Sequence, residues 1–203
     1  MFSEGKKLSR SYYCQDDVVT ISRSLIGKVL CSFDGKILTS GIITETEAYC
    51  GRNDKACHAN EGLRTKRTEI MYGPPGHAYI YLCYGIHHLF NIVTNREGLA
   101  DAVLIRAVSA LDGIGRMTER RGMNRTDSGL FDGPGKLTQA LSISTGDNGT
   151  DLLENRIWIE DRGIEIKAEA VSASPRIGIG YAGEHASRPW RFFVNRSSLP
   201  GTT

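Results

Sequence analysis

Apolar residues first recur with helical spacing at Val18, Val19, Ile21, Leu25 and Ile26, with Asp16 and Asp17 as start signals ahead and Gly27 as a stop signal behind. The spacing predicts a helix ending at Gly27. From Lys28 the period changes to two: Lys28–Phe33 and Ile37–Tyr49 read as strands joined through the hairpin dipeptide Asp34-Gly35. Strand patterns return at His77–Tyr84, His88–Thr94, Ala102–Val108, Arg156–Glu160 and Trp190–Asn195, and helical ones near Leu111–Arg121 and Lys136–Ile143. Strands joined by hairpins outnumber alternating strand-helix units. The pattern therefore predicts an α+β fold, mixed and built around a curved, mostly antiparallel sheet. No repeat, low-complexity tract or Gly/Ser linker divides the chain, so residues 1–203 are expected to form a single domain.

Composition narrows the class without naming a chemistry. With 40% hydrophobic and 24% charged residues the chain is neither disordered nor fibrous. No run approaches the ~18 apolar residues of a membrane span, and Met1–Tyr13 lacks the apolar segment of a secretory signal. A cytoplasmic protein without a membrane partner, and a monomer, is expected. Five cysteines, odd in number and without a C-x-x-C pair, suit reduced thiols. The net charge is only +2, but Arg outnumbers Lys by 17 to 8, and basic clusters near residues 52–67 and 176–196 are offset by an acidic stretch near 147–169. Charge alone is as compatible with a mixed solvated surface as with a polyanion partner.

Two segments carry candidate chemistry. Strand period two puts Glu45, Glu47 and Tyr49 on one face with Ile43. Against the core, a carboxylate beside an aromatic ring is desolvated into a general base; on the surface, the same face pairs with Arg or Lys across the sheet. In the second segment, Tyr79 and Tyr81 point one way and Tyr84-Gly85 falls where the hairpin must turn. A Tyr and an Ile at a hairpin tip are either a core element or a wedge offered to a partner. His58, His87 and His88 with Cys50 and Cys57 have no zinc-site spacing, so no metal is expected. Gly178–Gly183 matches G-x-G-x-x-G literally, but Ser172-Ala173-Ser174-Pro175 precedes it and too little chain follows, so it reads as a tight turn. Gly133-Pro134-Gly135-Lys136 opens a helix and lacks the spacing of a P-loop.

Taken in order, Glu45–Tyr49, Ala56–His58, Pro75-Gly76, Tyr79–Gly85, Asn91-Ile92, Val103–Ala107, Gly133–Leu141, Arg176–Gly183 and Arg188–Phe192 resemble the 3-methyladenine (alkyladenine) DNA glycosylase family from about Leu25 to Val194. The resemblance implies a domain with a protruding, DNA-intercalating β-hairpin. It would bind double-stranded DNA containing damaged purines, flip an alkylated or deaminated purine into a pocket and hydrolyse its N-glycosidic bond without a cofactor. By matching position, Glu47 would be the general base and Arg106 would help hold the attacking water, with backbone carbonyls of Arg176–Ile179 nearby. Tyr49, His58 and Tyr81 would sandwich the base, Asn91 would screen its exocyclic edge, Tyr84 would fill the vacated stack, and Lys136 would face the DNA backbone. Glu45 is expected to matter far less to the chemistry than Glu47. No lysine is expected near these motifs to form a Schiff base, so the implied enzyme is monofunctional, without AP-lyase activity. The alternative is a noncatalytic nucleic-acid-binding module sharing the fold, for which a buried carboxylate would have no use.

Overall fold

The computed structural model describes residues 5–123 and 131–199. A short strand β1 (Lys6–Lys7) and helix α1 (Arg10–Tyr13) precede α2 (Val18–Ser24), and Asp17 caps α2 by accepting the Val19 N–H at 2.9 Å. Gly27, at φ +87°, then turns the chain and donates its N–H to the Ile43 carbonyl. Strands β2 (Val29–Phe33) and β3 (Leu38–Tyr49) pair across the Asp34-Gly35 turn. Strands β4 (Ala78–Cys83) and β5 (His87–Thr94) form a second hairpin, and β6 (Asp101–Asp112) lies between β5 and β3. Helices α3 (Ile114–Arg121) and α4 (Pro134–Ala140) follow, then β7 (Ile157–Asp161), β8 (Ser172–Ser174) and β9 (Arg191–Phe193). The result is an α+β domain on a nine-stranded sheet of order β1-β7-β2-β3-β6-β5-β4, with β9 on β3 and β8 on β9, and every pairing among the described residues is antiparallel.

Strand β3 organises the sheet because it changes partner along its length. Its first half, Leu38–Ile42, pairs with β2, and Glu45–Glu47 pair on the same edge with β9. Where the partner changes, the ladder to β6 breaks step twice: Ile43 faces Val108, Glu45 faces Ala107, and Thr46 faces Ile105. Thr44 on β3 and Arg106 on β6 are thus each one residue extra, two β-bulges offset by one position. Both bulged carbonyls bind elsewhere, that of Thr44 to the Val194 N–H and that of Arg106 to the Gly133 N–H, each at 3.0 Å. The main apolar core gathers Ile21 and Leu25 of α2, Ile43 and Ile105 of the central strands, and Leu137 of α4. A second cluster, with Cys57, Met71, Tyr79, Val93 and Ala102, underlies the other end of β4 and β5.

Several sequence expectations shift. The helix read from Leu111 begins at Ile114, because Asp112 still pairs with Ser40 and Gly113, at φ +69°, makes the break. Strands β1 and β8, two and three residues long, carry too little pattern to be seen in sequence. No helix among the described residues is long and apolar enough to cross a membrane.

Candidate functional site

The site lies at the bulges. Leu104 faces Glu47 across the ladder, so Arg106, two residues on, shares by alternation the face that carries Glu45 and Glu47, and the bulge there sets Ala107 rather than Arg106 opposite Glu45. Its Nε donates to Glu45 Oε1 at 2.8 Å, and its Nη1 reaches Glu47 Oε2 at a looser 3.4 Å. Arg191, from β9, donates Nε to the same Glu45 oxygen at 2.6 Å. Glu47 also accepts the Tyr49 hydroxyl on Oε2 at 2.7 Å and the Ile177 N–H on Oε1 at 2.8 Å. Burial, then the neighbouring Glu47 charge, pushes the Tyr49 hydroxyl well above its ordinary pKa, so Tyr49 keeps the proton it donates. Burial works against the Arg106 charge, but Glu47 and Glu45 outweigh it and hold the guanidinium above its ordinary value. The expected face of Glu45, Glu47 and Tyr49 is therefore assembled. Ile43 does not line it; it lies in the main core on the far side of the register break.

Beside this cluster opens a cavity of about 580 Å³, lined by Tyr49, His58, Tyr81, Asn91, Arg106 and Ile177 among others. Glu47 is fully buried, immediately behind the lining that Tyr49, Arg106 and Ile177 form over it. The tyrosine period of β4 is as expected: the Tyr79 and Tyr81 rings lie 5.5 Å apart, and the His58 ring meets Tyr81 edge-on at 4.7 Å. His58 Nδ1 bonds the Tyr79 hydroxyl at 2.8 Å. Burial, assisted by the Arg67 charge, pushes the His58 pKa down to about 4, so the ring is neutral at physiological pH. Asn91, on β5, commits its amide nitrogen to the Tyr79 and Leu89 carbonyls at 3.1 and 3.3 Å.

The β4–β5 hairpin stands at the cavity edge. Tyr84 and Gly85 both take positive φ, +50° and +73°, as a primed hairpin turn demands, and the Ile86 N–H closes the turn on the Cys83 carbonyl. Tyr84 is 90% and Ile86 70% exposed, so the core reading of the tip is overturned. Helix α4 braces the hairpin: Thr138 donates its hydroxyl to the His88 carbonyl, and Gly135 sits so close to the His87 ring that a Cβ there would lie 2.9 Å from it. Lys136, next in α4, also lines the cavity, so the expectation that no lysine stands near the site is corrected. The Gly178–Gly183 run, expected as a tight turn, bends at Gly178, at φ +77°, and from Gly180 enters a 3₁₀ helix (Gly180–Ser187) kinked at Gly183. Just ahead of it, the Ile177 N–H donates to Glu47 Oε1.

Sequence reasoning missed the ion pair beneath the site. Arg176 and Asp54 are fully buried and joined by two hydrogen bonds, and the guanidinium also donates to the Ala48 carbonyl at 2.7 Å. It stacks 4.7 Å from the Tyr49 ring centre and 5.2 Å from that of Trp190. The two residues are 122 positions apart, and no local signal joins them. No group of three or more metal-ligating side chains converges among the described residues.

A family model described as methylpurine-DNA glycosylase matches residues 12–198. A protein of Chlorobaculum parvum is 46% identical over 200 residues, covering 98% of this chain and 92% of its own length. A Chlamydia felis protein is 44% identical over 93% of this chain and 96% of its own, and one from Methanocella arvoryzae 42% identical over 94% and 93%. All three carry the provisional name 3-methyladenine DNA glycosylase. With the match spanning every element that builds the cavity, the chain belongs to the methylpurine-DNA glycosylase family.

Proposed function

We propose that this protein is a monofunctional DNA glycosylase that draws an alkylated or deaminated purine nucleotide out of duplex DNA and hydrolyses its N-glycosidic bond, with Glu47 as general base. The observation that carries the reading is a carboxylate buried behind an aromatic cavity, held by Tyr49, Ile177 and Arg106, next to a hairpin that exposes an aromatic tip. In this reading the purine stacks among Tyr49, His58 and Tyr81, rings whose electron-rich faces favour a cationic N-alkylpurine. Asn91, fixed by its two carbonyl contacts, screens the exocyclic edge. Water enters on the Arg106 side, where the contact to Glu47 is loosest. Its oxygen bonds to C1′ while the C1′–N9 bond breaks with its electron pair on the purine, and its proton passes to Glu47. A cationic N-alkylpurine leaves as a neutral base and needs no further proton, whereas a neutral deaminated purine leaves with the pair as an anion and takes its proton from solvent.

Glu47→Gln should keep binding to lesion duplex while lowering single-turnover excision by roughly 10²- to 10⁴-fold. Excision at the native rate would remove Glu47 from its role. A wild-type protein that binds damaged duplex and releases no base would instead make it a noncatalytic binding module. Borohydride should trap no protein–DNA adduct during turnover; an adduct lost in Lys136→Ala would turn the monofunctional reading into a lyase one.

A further inference from the structure

Glu45 is the carboxylate for which the hydrolytic reading has no use, and it is the one of the pair that the arginines hold more closely. Its Oε1 takes the Nε of both Arg106 and Arg191, at 2.8 and 2.6 Å, while Arg106 reaches Glu47 only at 3.4 Å. The four charges alternate across three strands, Arg191 on β9, Glu45 on β3, Arg106 on β6 and Glu47 on β3. All four side chains are largely buried, the most accessible at 22%, so solvent screens them little. The geometry points to a positioning role for Glu45: by holding Arg106 at arm's length from Glu47, it keeps the guanidinium from closing on that carboxylate and leaves room for the water it must deprotonate. This inference rests on Glu47 being the base.

The sign follows from two effects that act together. Without the Glu45 charge, Arg106 keeps one carboxylate partner and closes on Glu47, and the like charge next to Glu47 disappears as well. Both stabilise the ionised form of Glu47, which makes it a weaker base that stays ionised to lower pH. Removing Arg191 does the opposite: Glu45 is left less neutralised, binds Arg106 harder, and raises the pH at which Glu47 takes a proton. The other groups facing Glu47 are unchanged by either substitution. They are Tyr49 on β3, Tyr81 on β4 and Arg176 ahead of the Gly178 turn, with Lys136 and Asp132 farther along the cavity wall.

The test is the pH profile of single-turnover base release from methylated duplex DNA, whose cationic N-alkylpurines need no protonation to leave, so that the acid limb reports the base alone. Glu45→Gln should lower the plateau by about 3- to 30-fold and move the acid limb down by about half to one pH unit. Arg191→Gln should move the limb up. A merely structural role for Glu45 lowers the rate equally at every pH, so a Glu45→Gln limb that stays in place or rises overturns the proposal. Should Glu45→Gln not fold, Arg191→Gln decides alone, an upward limb supporting the proposal and any other result overturning it. A wild-type profile without an acid limb, or native excision by Glu47→Gln, fails the base assignment and the proposal together. A normal wild-type limb that is lost in Glu47→Gln leaves only the role of Glu45 in question.

Discussion

The Arg176–Asp54 pair shows what a single residue holds in this protein. Asp54 binds the guanidinium and also accepts the N–H groups of Cys50 and Ala56, so it orders the turn between β3 and the His58 loop. Arg176 backs the Tyr49 ring, and the next residue supplies the N–H that Glu47 accepts. Removing one partner of a buried pair leaves the other charge uncompensated, which costs more than the pair contributes. Asp54→Asn, nearly the same in shape, should therefore lower the free energy of unfolding by about 3 to 5 kcal/mol in denaturant titration. A loss below about 1 kcal/mol would mean that solvent reaches Arg176 and screens it. The roles of Glu47 and Arg106 were suggested by resemblance, but their surroundings were not legible. The partners Arg191 and Ile177 come from 130 or more positions away, and period two says nothing about what crosses the sheet.

At the scale of elements, the sequence was most readable where periodicity and turn chemistry agree. The Asp17 cap, the Asp34-Gly35 turn and the Tyr84-Gly85 tip all fall where local rules put them. It was least readable inside β3, where the bulge at Thr44 interrupts the alternation and assigns Ile43 and Glu45 to different surroundings. The hairpin tip permits a clean separation of binding from folding. Tyr84 buries little and adopts φ +50°, a conformation any non-glycine residue holds at some cost, so Tyr84→Ala should barely move the thermal midpoint. If the ring fills the gap left by a flipped nucleotide, the same variant should bind lesion duplex about 5- to 150-fold more weakly, the equivalent of 1 to 3 kcal/mol of stacking. Unchanged affinity would take Tyr84 out of the interface.

For the whole molecule, the arginines near the C-terminus are tied into the protein's own contacts. Of the arginines near the C-terminus, Arg176 and Arg191 are committed to Asp54 and Glu45, Arg196 pairs with Asp132, and Arg188 bonds the Asn53 carbonyl and stacks on Trp190. Besides Arg106, the arginine and lysine lining the cavity are Arg67 and Lys136. Affinity for undamaged duplex should fall with salt at a log–log slope near −0.9 per phosphate neutralised, and replacing either Arg67 or Lys136 by Ala should reduce that slope by about 1. A slope that neither substitution changes would place the DNA backbone elsewhere. The offset bulges at Thr44 and Arg106 bear on how such a site is retained. Each shifts the ladder by one residue and together they cancel, so Thr46–Tyr49 return to the register set by Gly41–Ile43. Loss of either alone would throw the rest of the strand out of phase, whereas loss of both would leave Glu45 and Arg106 opposite each other but turn Ile43 and Val108 out of the core onto the charged face. The paired bulges thus let a charged site and a dry core follow one another on a single pair of strands.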